Sequence, residues 1–207
     1  ELEVLVLQTG EVGPIAAMVA GLDIAMWDLA ARRAGVPLHR FVGGDAAVVD
    51  VPVYVTGINP DRPEQFAAAR QAEGHRAFKL KIGFGLAADI TTTGCIRDAI
   101  GADIGLMVDA NHAYDVADAL AYARACADMG LGWFEEPVIP EDMAGYAEVR
   151  RASTIPIAGG EAAFTRFGFR DLFLARAIDI AQPDAMAVGG ITECKRVFDM
   201  ATAFGIR

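Results

Sequence analysis

The chain has 207 residues, 54% of them hydrophobic and 22% charged, with a formal net charge of -10. That length supports one large domain or two small ones around a sizeable core, and the absence of low-complexity tracts excludes disordered and collagen-like classes. Excess acid argues against a nucleic-acid partner, which needs surplus Lys and Arg to meet phosphates.

Glu1-Leu2-Glu3 lacks the basic start of a signal peptide. Asp23, Asp28, Arg32 and Arg33 interrupt the most apolar stretch before it reaches the roughly 18 residues of a membrane span, so no membrane association is expected. Cys95, Cys126 and Cys194 are odd in number, far apart and without a CxxC pairing. They read as buried free thiols, and the expected compartment is the cytoplasm.

In chain order, residues 1–12 give no clear element. Ile15–Ala34 reads as an Ala-rich amphipathic helix with Met18, Leu22, Met26 and Leu29 on one side, stopped by Gly35 and Pro37. Gly43-Gly44 punctuates the passage to a repeating region. There, short β-branched runs alternate with longer amphipathic ones. The expected strands are Val51–Gly57, Ala77–Ile82, Ile104–Ala110, Gly132–Glu135, Ile157–Gly160 and Ile178–Gln182, with a last one opening at Ile206. Between them the periodicity predicts helices over Pro63–Glu73, Ala87–Ile100, Val116–Met129, Met143–Ala152, Phe167–Ala175 and Thr192–Phe204.

Such alternation implies βαβ units and a parallel sheet. The repeat of about 26 residues fits a TIM-type (β/α) barrel better than a doubly wound sheet. No GxGxxG follows the first strand, which also counts against a dinucleotide fold. The region after residue 50 holds about six such units rather than eight, so the expected architecture is an incomplete barrel. The expected domains are 1–48, the tail of an N-terminal α+β cap with its connecting helix, and 49–207, the barrel units.

Catalytic groups of such barrels sit at the C-terminal strand ends. Those ends carry Lys79 and Lys81, Asp109 and Asn111, Glu135 and Glu136, Glu161, and Asp184. Asp109, Glu135 and Glu161 are spaced by 26 residues and again by 26. Any one of them alone would read as a solvated loop carboxylate. The evenly spaced set would converge at one height on consecutive strands, where three carboxylates repel unless a cation lies between them. Oxygen ligands without His or Cys suit Mg2+.

Glu135 and Glu136 point to opposite faces, so one of the two is a ligand, and the pattern alone leaves open which. Lys79 and Lys81 share one face of a strand. Repulsion from each other and from the cation is expected to lower an ammonium from about 10.4 towards roughly 7–8, where it can act as a base. Three carboxylates, one divalent ion and two ammonium groups leave a charge of +1, which would welcome a carboxylate substrate. The chemistry that follows is metal-assisted removal of a proton next to a carboxylate, with Lys81 as the acceptor.

Lys79-Leu80-Lys81, Val108-Asp109-Ala110-Asn111, Trp133-Phe134-Glu135-Glu136-Pro137, Gly159-Gly160-Glu161 and Gln182-Pro183-Asp184 together resemble the enolase superfamily, in its mandelate racemase branch. Gly21-Leu22-Asp23-Ile24-Ala25-Met26-Trp27-Asp28 also resembles that family's helix leading from the capping domain into the barrel, so the match runs from about residue 15 to the end. Lys bases working beside Mg2+ are a known property of enolase-superfamily sites. The resemblance implies Asp109, Glu135 and Glu161 as Mg2+ ligands, Lys81 as base, Lys79 as its tuner and a substrate contact, and Asn111 near the substrate. It implies Asp184 as the orienting half of an Asp–His dyad for the opposite face. Asp184 by itself reads as a turn residue after Pro183.

Muconate-lactonizing relatives usually carry Asp as third ligand and a Lys two residues before the Gly-Gly. Here Glu161 and Ala187 occupy those positions, which favours the mandelate racemase side. The dyad His would lie just past Arg207. His39, His75 and His112 fall in the wrong units, with His112 assigned a supporting or solvated role.

The expected function is dehydration of a hydroxy-carboxylate, a sugar acid, to a 2-keto-3-deoxy acid. The alternative is racemisation or epimerisation of a 2-hydroxy acid by 1,1-proton transfer. A catalytically inactive or truncated member is the alternative of another class, and a Schiff-base barrel is disfavoured by the triple carboxylate. The resemblance also implies a homo-oligomer, and an isolated 207-residue polypeptide is expected to be nearly inactive.

Overall fold

The computed structural model describes residues 12–44, 50–58 and 62–207. In chain order they form α1 (Val12–Ala34), α2 (Leu38–Phe41), β1 (Val55–Ile58), α3 (Pro63–Ala72), β2 (Ala77–Lys81), α4 (Leu86–Ile100), β3 (Gly105–Asp109) and α5 (Val116–Ala125). Then come β4 (Leu131–Glu135), α6 (Met143–Ala152), β5 (Ile157–Gly159), α7 (Thr165–Leu174), β6 (Ile180–Ala181), α8 (Ala185–Val188) and α9 (Ile191–Phe204). The six strands make one parallel sheet in sequential order β1 to β6. A sequential parallel sheet with a helix between neighbouring strands is the barrel-type arrangement read from the repeat. Arg207 continues the ladder: its N–H donates to Asp179 O at 3.1 Å and its carbonyl accepts from Ala181 N at 2.7 Å, where the seventh strand was expected.

Two compact units divide the chain. Of the described residues, one holds those up to Pro52 with Gly160–Asp171 and Gln182–Gly205; the other holds those of Val53–Gly159, Leu172–Ala181 and Ile206–Arg207. In the second, strand alternation sorts the side chains. Phe78 and Leu80 on β2, Leu106 and Val108 on β3, and Phe134 on β4 are fully buried. Lys79 and Lys81 take the other face of β2, because successive strand residues alternate. Behind the sheet, Tyr122 packs its ring 5.1 Å from Phe134 and joins its hydroxyl to Thr93 at 2.7 Å. Tyr114 donates to the buried carboxylate of Asp89 at 2.7 Å. Both buried phenols are thereby satisfied, as burial requires.

In the first unit, α1 meets the N-terminal end of α9. Gly190, the N-cap of α9, has no side chain to cap the helix, so a residue of α1 does it. Asp23 accepts from Thr192 N at 3.0 Å and from its hydroxyl at 2.6 Å, while Trp27 Nε1 donates to the same hydroxyl at 2.9 Å. An acceptor there meets the orphan N–H groups and the positive end of the helix dipole. Gly190 has φ +98°, and a Cβ on it would overlap the Asp23 carboxylate. Buried Glu193, one turn into α9, pairs with Arg166 at 2.8 Å and with Arg196.

Several expectations need correction. α1 is, by length and composition, apolar enough to cross a membrane, because its charges cluster towards one end. Its apolar stripe is exposed, Met18 at 73% and Leu22 at 68%. Cys95 is exposed, whereas Cys126 and Cys194 are buried. Strand one begins at Val55 rather than Val51, past Pro52, which lacks an N–H for the ladder. α5 stops at Ala125, four residues early. The short α2 and α8 fall below the length at which periodicity is readable. Of residues 1–12, all but Val12 lie outside the described residues, as does the junction at residues 48 and 49.

Candidate active site

The strand register sets the site. Lys81 pairs across the ladder with Asp109, and Asp109 with Glu135, so three charged residues stand level at the C-terminal ends of β2, β3 and β4. Lys81 Nζ donates to Asp109 Oδ2 at 2.6 Å. Lys79 Nζ donates to Glu135 Oε1 at 2.6 Å and lies 3.1 Å from Asp109 Oδ2. Asp109 and Glu135 are 1% and 2% exposed and Lys79 8%, so this is a buried ionic network rather than a surface pair. Lys81 is more open, its side chain 31% exposed.

Burial alone would lower the Lys79 ammonium, but the hydrogen bond and charge of Glu135, followed by the charge of Asp109, outweigh it and raise the group above its ordinary range. Carboxylates, not a second ammonium, are the nearest neighbours of Lys79. For Asp109, burial pushes the carboxyl up, yet the Lys81 hydrogen bond and both lysine charges together hold it below the usual carboxylate value.

Asn111 donates its backbone N–H to Asp109 Oδ1 at 2.9 Å, and its side-chain amide reaches Glu136 Oε2 at 3.4 Å. Glu136 is 1% exposed and lies 3.1 Å from His112 Nε2. The His112 backbone N–H donates to Glu136 O at 2.8 Å. Asn111, His112 and Glu136 all have positive φ, at 47°, 66° and 44°. Left-handed backbone at three non-glycine residues is costly and marks a tightly determined rim. Glu135, not Glu136, faces the lysines.

Trp133 and Tyr54 also belong here. Trp133 Nε1 donates to Glu135 Oε2 at 2.8 Å, and its ring meets Tyr54 edge-on at 5.5 Å. Tyr54 in turn lies under Lys79 Nζ, 5.7 Å from its ring centroid. The sequence reading passed over Tyr54 and used Trp133 only as part of a motif. Its offset of two from Glu135 was the available signal, since it puts both on one strand face.

Glu161 and Asp184 belong to the first compact unit. Glu161 follows β5 by two residues and is exposed. Asp184 is exposed and caps α8, its Oδ1 accepting from Met186 N at 2.7 Å. Among the described residues, no three Asp, Glu, His or Cys side chains stand close enough to hold a metal ion.

The donor set at Asp109 and Glu135 still fits Mg2+. These are hard carboxylate oxygens, buried and level with one another, at a position where cationic groups already sit against them.

Residues 62–207 match the family described as enolase C-terminal domain-like, and the chain belongs to that family. It is 40% identical over 205 residues to a D-galactarolactone cycloisomerase of Agrobacterium fabrum, covering 96% of this chain and 54% of that protein. It is 32% identical over 206 residues to an arabinonate dehydratase of Saccharolobus solfataricus, covering 96% of this chain and 55% of that protein. Among solved structures, a racemase from Streptomyces coelicolor with bound magnesium superposes with a TM-score of 0.89 at 34% identity, covering 99% of this chain and 59% of that one. The chain therefore spans a little over half the length of these relatives.

Proposed function

We propose that the protein removes the proton α to the carboxylate of a sugar acid, with Mg2+ as cofactor, and that β-elimination follows. The observation that carries this reading is the level array of Lys81, Asp109 and Glu135 on three successive strand ends, with Lys79 beneath. In this reading Asp109 and Glu135 hold the cation. When bound, the cation supplies electrostatic stabilisation of the negative charge that develops on the substrate carboxylate as the proton leaves. Lys81 takes that proton at Nζ. It is the more open of the two lysines, and the carboxylate beside it offsets the charge it gains.

Lys79, held as an ammonium, meets the substrate carboxylate as a fixed positive charge, and Asn111 orients a substrate hydroxyl from the strained rim.

Loss of the β-hydroxyl from the resulting carbanionic acid is dehydration and gives a 2-keto-3-deoxy acid. A second reading is favoured by the 40% identity to a cycloisomerase. Where the β-oxygen is part of a ring, the same elimination opens the ring without releasing water, and the net change is isomerisation. Both differ from racemisation, which returns the proton and forms no ketone.

The deciding experiment incubates the full-length protein with Mg2+ and a panel of sugar acids and their lactones in D2O. Dehydration gives a semicarbazone-forming product lighter by one water; ring opening gives one of unchanged formula. Deuterium at the α-carbon without ketone would replace elimination by racemisation, and no exchange with any acid would sink the enzymatic reading.

A further inference from the structure

The indole N–H of Trp133 is spent on the very carboxylate assigned above to the cation. We propose that Trp133 is a positioning residue that fixes the Glu135 carboxylate for cation binding. This inference rests on the reading of Glu135 as a ligand. Trp133 and Glu135 lie two residues apart on β4, hence on one face. The indole Nε1 can only donate, and it donates to Glu135 Oε2 at 2.8 Å, while Lys79 takes Oε1 at 2.6 Å. The two donors pin the carboxylate plane from both oxygens.

The indole is itself aimed. Its ring stands at 79° to Tyr54 with centroids 5.5 Å apart, an edge-to-face contact that resists rotation of the side chain. A residue chosen only to fill this face of the strand would need volume and no donor. Trp supplies a donor at the reach of a carboxylate two residues ahead, and the Tyr54 ring holds it there. Partners of this kind orient metal ligands and raise their basicity.

The test is a Mn2+ titration of the full-length protein followed by electron paramagnetic resonance, with Mg2+ competing. Trp133→Phe keeps the aromatic ring and deletes the donor. It should weaken Mn2+ binding by about 10- to 100-fold, with the circular dichroism and melting temperature of the metal-free protein close to those of the parent. In a Glu135→Gln background the same change should have no further effect, since a residue acting through Glu135 loses its route.

Equal Mn2+ affinity in parent and Trp133→Phe overturns the inference. So does an equal loss with and without Glu135. A parent protein that binds no Mn2+ overturns the ligand reading and this inference with it, whereas binding without turnover on any acid overturns only the proposed reaction. Should Trp133→Phe fail to fold, Tyr54→Leu frees the indole without deleting it. A several-fold loss of affinity would then support positioning, and no loss would overturn it.

Discussion

Lys79 and Lys81 are alike in type and face but not in surroundings. Lys79 is 8% exposed and touches two carboxylates, which keep it protonated; Lys81 touches one and opens to solvent. In the proposed reaction Lys79 is the fixed charge and Lys81 the base. Lys81→Met should lower turnover of the full-length protein by about 10²–10⁴-fold, the usual worth of a positioned base, while Mn2+ affinity changes little. An unchanged rate would move the base elsewhere.

Asp109 yields a pH prediction. Its carboxyl sits below the usual value because the Lys81 hydrogen bond and both lysine charges outweigh burial, which alone would raise it. A carboxyl lowered by folding adds stability that is complete above its unfolded value of about 3.9 and is lost as pH falls through the folded one. The metal-free protein should therefore lose urea resistance on acidification below about pH 5, and Asp109→Asn should flatten that dependence. A slope identical in both proteins would refute the assignment.

Among the elements, the meeting of α1 with α9 shows how one side chain fixes a packing register. Without Asp23, the N–H of Thr192 and its hydroxyl lose their acceptor, and nothing at Gly190 can replace it. Asp23→Ala should cost about 1 kcal/mol, the usual worth of a cap, read as a lower denaturant midpoint at unchanged slope. Asp23→Asn should recover much of the loss, because an amide oxygen still accepts.

The strands show the opposite economy: β6 has two residues and β5 three, yet their ladder positions are held by neighbours on either side. Asp179 reinforces this with Oδ2 accepting from Ile157 N at 2.9 Å and Oδ1 from Arg150 Nε at 2.7 Å.

For the molecule as a whole, a ligand that binds only the folded state raises its stability. Mg2+ at a hundredfold excess over its dissociation constant should add about 2.7 kcal/mol, visible as a higher melting temperature that EDTA reverses. A melting temperature indifferent to both would remove Mg2+ from the proposal.

Much of the architecture is legible in the sequence. Alternating strand and helix patterns at a near-constant repeat have few three-dimensional solutions, and a buried parallel strand announces itself by continuous apolar residues broken at one end by charge, as in Leu106 to Asp109. Equal spacing singled out Asp109, Glu135 and Glu161, and strand-end position singled out Lys79 and Lys81; the ladder sets Lys81, Asp109 and Glu135 level, while Glu161 lies past β5 and is exposed. What the chain order alone could not supply was who neighbours whom across strands. That Lys79 is held by Glu135 and Asp109 rather than repelled by Lys81, that Trp133 spends its N–H on Glu135, that Asp23 caps a helix 169 residues away, and that Cys95 is open to solvent all depend on contacts between distant segments. Local pattern dictates which elements form because backbone geometry and apolar periodicity are short-range. Protonation, orientation and exposure are decided by electrostatics and packing over a few ångströms of space, and only the folded chain brings those partners within reach.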